Sequence, residues 1–126
     1  MFSETLLDHF QNPRNAGELP GATAKVEVSN PVCGDVLQLA AIGEEGVVRE
    51  VRFLCRGCTA SIACASLLTE RMKGRELREL ANINATVIAE ALGGMPEASH
   101  HAAQLASDAL HALLRALPAP RYLASR

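Results

Sequence analysis

The sequence predicts an α+β sandwich: a small three-stranded antiparallel sheet with helices packed on one face and a long C-terminal helix. Two patterns and a length carry that prediction. Between Ala24 and Cys55 apolar residues alternate with polar ones in three stretches, the period of half-buried strands. After Gly57 small and aliphatic residues recur at helical spacing. The chain has 126 residues, enough for one buried core without disulfides.

Taken in order, Ser3 can cap a first helix that carries Leu6, Leu7 and Phe10 on one face, and Asn12-Pro13-Arg14-Asn15 ends it. Strands are expected at 24–29, 35–42 and 47–55, the last with Val47, Val51 and Phe53 on its apolar side. Gly43 to Gly46 reads as the turn joining the second and third into a hairpin. Helices follow at 59–73, ended by Gly74, then at 75–81 and 84–92, and last at 97–117, where Pro118 and Pro120 stop the helix. One domain is expected over 1–117 with a flexible tail at 118–126.

Apolar residues form 48% of the chain and charged residues 21%, the balance of a water-soluble globule. The formal net charge of -2, with Lys and Arg scattered, excludes the basic face of a nucleic-acid binder. No apolar run is long enough to span a bilayer and no leader is legible after Met1, so a cytoplasmic protein without a membrane partner is expected. In that reducing compartment four cysteines are thiols for metal or sulfur chemistry rather than a disulfide frame.

Cys33 lies in the turn Asn30-Pro31-Val32-Cys33-Gly34-Asp35, where Pro31 fixes the chain and Gly34 allows a tight bend. Such a turn is too polar for a merely packed cysteine, and Asp35 can face the same point. Cys58 follows Gly57 where strand gives way to helix, and the positive end of a helix suits an anionic ligand. Cys55 forms a Cys-x-x-Cys with Cys58, yet no second pair completes a zinc ribbon, and strand alternation decides whether Cys55 reaches a metal. Cys64, among Ala60, Ile62, Ala63 and Ala65, reads as a packed small residue. The tandem His100-His101 opens the last helix and offers an imidazole, whereas His9 and His111 read as surface residues. Cys33, Asp35, Cys58 and one of these two histidines would supply sulfur, oxygen, sulfur and nitrogen, a set that suits zinc or a labile iron–sulfur cluster.

Four stretches, Leu7 to Asn15, Asn30 to Asp35, Phe53 to Glu70, and the helix opening at His100-His101, resemble the IscU/SufU/NifU-type family of iron–sulfur cluster scaffold proteins. The resemblance spans nearly the whole chain and implies the same sheet and helices. It implies that Cys33, Asp35 and Cys58 are cluster ligands, and that sulfur from a cysteine desulfurase joins iron in a transient 2Fe-2S cluster passed to acceptor apoproteins. Asp35 would keep the cluster labile, since a hard carboxylate holds such iron less firmly than thiolate. The family's third ligand cysteine is missing. Its place reads His100-His101-Ala102-Ala103, and the separation from Cys58 favours His101 as the substitute, with His100 the alternative. The Leu-Pro-Pro-Val-Lys chaperone motif of one branch is replaced by Met95-Pro96-Glu97-Ala98-Ser99.

Three functions are therefore weighed. The first is a non-enzymatic scaffold that binds iron and sulfide and hands on a cluster. The second is a zinc-binding sulfurtransfer partner of a cysteine desulfurase. The third is a degenerate member that, having lost the third cysteine, only binds a partner or regulates. No paired carboxylates, Ser-His-Asp order or phosphate-cradling glycine loop argues for an enzyme.

Overall fold

The computed structural model describes residues 1–118. Most of the expected 118–126 tail therefore falls outside the described residues. The element order is α1 (Glu4–Gln11), β1 (Ala24–Ser29), β2 (Val36–Glu44), β3 (Val47–Arg56), α2 (Thr59–Met72), α3 (Leu77–Leu80), α4 (Ala85–Ala91) and α5 (His100–Ala116), with a 3-10 turn at Glu97–Ser99 before α5. The strands form an antiparallel sheet in the order β1-β2-β3. α2 and α5 lie on one face, with α1 against α2 and α4 against α5. The expected α+β architecture is the observed one. No helix among the described residues is long and apolar enough to cross a membrane.

Alternation builds the inner face of the sheet. Leu37, Leu39 and Ala41 of β2 point inward beside Val51 and Phe53 of β3, all buried. Near the hairpin the phase slips. Ile42 pairs with Glu50 but Gly43 pairs with Val48, so one extra residue of β3 sits opposite the Ile42–Gly43 step. The bulge turns Val48, not the expected Val47, into the core. The loop itself is only Glu45-Gly46, both at positive φ (51° and 79°), the backbone of a tight two-residue hairpin. The expected four-residue turn is shorter because β2 runs on through Gly43 and Glu44.

α2 is the central helix. Ala60, Ser61, Ala63, Cys64, Ala65 and Ser66 are buried along with Leu67, Leu68 and Met72, because neighbours surround it and small side chains let them approach. Cys64 is fully buried, with its sulfur 3.9 Å from Met95 Sδ, as a packing residue. α3 is one short turn rather than the expected seven-residue helix, and the expected start of the last helix at 97 is the 3-10 turn.

His9 departs from expectation. It is 4% exposed on the inner face of α1 with Leu6, while Leu7 and Phe10 are both more than a third exposed. Its partner is Ser66 of α2, whose hydroxyl lies 2.8 Å from His9 Nδ1 and accepts the Arg14 N–H at 2.9 Å. His111 is also engaged, with Nε2 2.9 Å from the Ile83 carbonyl oxygen. Burial and then the Arg14 charge push the His9 ring below its usual titration range, against the opposing pull of Glu70 and Asp8. The unfolded chain gains a proton near pH ~6.5 that the folded chain declines, so stability falls as pH drops below that value and is unaffected above it. Urea unfolding between about pH 7 and about pH 5 is expected to show a smaller loss for His9→Asn, which keeps an acceptor for Ser66, than for the parent. Parallel losses in both proteins would refute this.

Candidate functional site

The site sits at one end of the sheet, where the β1–β2 loop, the start of α2 and the start of α5 meet. The loop is shaped by Asn30. Its side-chain oxygen accepts the Val32 N–H at 2.9 Å, its carbonyl accepts the Gly34 N–H at 2.7 Å, and its own N–H donates to the Asp35 carbonyl at 2.8 Å. Gly34 adopts φ 77°, which is open to glycine and strained for other residues. The chain thus folds back on itself, leaving Cys33 exposed while Asp35 turns inward to 7% exposure.

Cys33, Asp35 and His101 each offer a ligand atom, and these atoms all lie within 4.8 Å of one another. Cys58, at the N-cap of α2, is beside them, with its sulfur 3.9 Å from His101 Nε2 and 3.4 Å from Ser61 Oγ. Ser61 in turn donates to Asp35 Oδ2, which lies 3.9 Å from His101 Nε2. His101 Nδ1 is 3.1 Å from the Ala98 carbonyl oxygen. A carbonyl only accepts, so Nδ1 carries a hydrogen, and Nε2 is the ring nitrogen that faces Cys58 and Asp35. Burial pushes the Asp35 carboxyl up. Hydrogen bonds from Ser61, the Cys58 backbone N–H, and the Cys58 and Cys33 thiols outweigh that and hold it below the usual carboxylate value. Cys33, Asp35 and His101 converge, Cys58 lies alongside without joining that mutual group, and the sulfur, oxygen and nitrogen donors they offer are types that zinc or the iron of a cluster accepts.

His100 points elsewhere. It lines a groove between α4 and α5 with Ala89, Glu90 and Gln104, so of the two candidate histidines it is His101 that meets Cys33 and Asp35. One helical residue is about 100° of rotation, which separates the tandem pair. Cys55 is half-buried beside Leu37 and does not join the group, and burial followed by the Asp35 charge pushes its thiol up to about 11. Two residues were given no role by sequence reasoning. Ser61 bridges Asp35 and Cys58, and Gly57 leaves space that Asp35 fills. The signal for Ser61 is its position three residues after Cys58, nearly one helical turn.

Comparison with known proteins bears on the family and the fold. The family model described as NifU-like N terminal domain matches residues 1–121. One of two proteins of Archaeoglobus fulgidus named iron-sulfur cluster assembly scaffold protein IscU is 41% identical over 87% of this chain and 72% of its own. The protein of that name from Azotobacter vinelandii is 41% identical over 90% of this chain and 91% of its own. A crystal structure of a nitrogen-fixing NifU-like protein (N-terminal) from Brucella abortus superimposes with a TM-score of 0.76 at 20% identity, covering 91% of this chain and 92% of that one, which speaks to the fold alone. From the extent of these matches, the chain belongs to the NifU-like N-terminal domain family.

Proposed function

We propose that this protein is an iron–sulfur cluster assembly scaffold, working in the cytoplasm, that gathers iron and sulfide between Cys33, Asp35, Cys58 and His101 and passes a 2Fe-2S cluster to acceptor apoproteins. The observation that carries this is the convergence of the Cys33, Asp35 and His101 ligand atoms at an accessible end of a family fold. Access matters because cargo must be loaded and removed, and both cysteines of the set are exposed. The mixed donors matter too. Thiolates hold iron firmly, while Asp35 and His101 are the exchangeable side of the set. The sulfur would come from cysteine through a cysteine desulfurase as a persulfide, which a thiol or other electron donor reduces to the sulfide of the cluster. The chain acts as a carrier in this scheme and turns nothing over.

Anaerobic reconstitution with ferrous iron, cysteine, a desulfurase and a thiol reductant is the test. The expected result is the visible absorption of a 2Fe-2S cluster on this chain, followed by its appearance on an added apo-ferredoxin. No cluster on this chain, beside a parallel sample of the A. vinelandii relative that does load, would overturn the proposal. The same donors suit tetrahedral zinc. Tightly held zinc with desulfurase stimulation but no cluster transfer would instead identify a sulfurtransfer partner.

A further inference from the structure

We propose that Ser61 is the positioning residue of this site: its hydroxyl, together with the space left by Gly57, holds the Asp35 carboxylate turned toward Cys33, Cys58 and His101. The inference rests on the ligand reading above and adds to it a residue that touches no iron itself.

Ser61 is 2% exposed on the first turn of α2 and faces the end of the sheet. It has one hydrogen to give. The Asp35 carboxylate can only accept, so that hydrogen goes to Oδ2, while the Ser61 oxygen also lies 3.4 Å from the Cys58 sulfur. One buried hydroxyl therefore fixes the direction of one donor and touches a second. The Asp35 carboxylate has two oxygens, and with Oδ2 tied to Ser61 the rotation of the group is set before any ion arrives. Such support of a ligating carboxylate raises affinity because the ordering cost is met during folding.

Gly57 completes the clamp from the other side. A Cβ at this position would lie 2.9 Å from both Cγ and Oδ2 of Asp35 and 3.1 Å from Cβ of Ser61, closer than carbon approaches these atoms without displacing them. The backbone of Gly57 is not in the left-handed region, so the glycine is required by the neighbour rather than by its own conformation. Asp35 occupies the volume where any other residue would put its side chain.

The test is Co²⁺ titration of the full chain, read from the visible d–d and sulfur-to-cobalt bands, for the parent, Ser61→Ala, Ser61→Thr, Gly57→Ala, Asp35→Ala and the Asp35→Ala/Ser61→Ala double variant. Ser61→Ala is expected to weaken Co²⁺ binding about tenfold, within the range for lost support of a metal ligand. Ser61→Thr, which keeps the hydroxyl, should return affinity close to the parent, and Gly57→Ala should resemble Ser61→Ala. The double variant should bind no more weakly than Asp35→Ala, because a positioning residue has nothing to position once the carboxylate is gone. Parent-like binding by Ser61→Ala, or a full additional loss in the double variant, overturns the positioning role while leaving the ligand set intact. Parent-like binding by Asp35→Ala overturns the ligand reading and the inference with it.

Discussion

Cys33→Ala is expected to weaken Co²⁺ binding by roughly a hundredfold or more, a loss above the range for second-layer substitutions because a donor itself is removed. Cys33 stands on a loop that is closed by Asn30 and Gly34 without help from its own side chain, so the variant should keep the parent's fold and thermal midpoint. The sulfur-to-cobalt band should fall to about half, since Cys58 is the thiolate that remains in the proposed donor set. Parent-like affinity with an unchanged band would mean that Cys33 is not a ligand. An equal loss from Cys55→Ala would place a third thiol in the site, against its half-buried position outside the donor group.

The second large effect is on stability. Leu39 is fully buried at the middle of the central strand, paired with Val26 on one side and Phe53 on the other, with α5 packed on β2. Leu39→Ala opens a cavity that its neighbours on two strands cannot fill by moving independently. A destabilisation of ~3 kcal/mol is expected in denaturant unfolding, with the thermal midpoint lowered by roughly 10 °C for a domain of this size. A change below ~1 kcal/mol would show that the sheet and helices collapse onto the gap.

Much of the architecture was legible because two periods differ so clearly. The strand at Ala24–Ser29 matches its expected bounds, and α2 begins where Gly57-Cys58 breaks the alternation. What could not be read were features set by partners distant in the chain. The exchange of Val47 for Val48 in the core follows from a bulge, and a bulge depends on how β3 is registered against β2. His9 went to the inside of α1 instead of Phe10 because Ser66, far along the chain, gives its ring a hydrogen bond. At the site, the residue types announced themselves through the two glycine-flanked cysteines and Asp35. The choice between His100 and His101 did not, for tandem residues differ only in which way a helix is rotated, and packing of α5 on the sheet decides that. For Ser61 the sequence offered only its place nearly one turn after Cys58, and that its hydroxyl meets Asp35 depends on where the β1–β2 loop docks.

The proposed donors include positions 33, 58 and 101, which no short stretch of chain could bring together. An ion seated there is a rivet through the loop, α2 and α5, and it exists as a tight site only while the three are docked. Occupancy at a hundredfold excess over Kd would add about 2.7 kcal/mol to the docked form by mass action. The relation runs both ways. Under the proposed function, any acceptor that grips this domain more firmly with α5 lifted would loosen the cargo by the same free energy, so unloading would be driven by the receiver's own binding surface without any ligand being attacked directly.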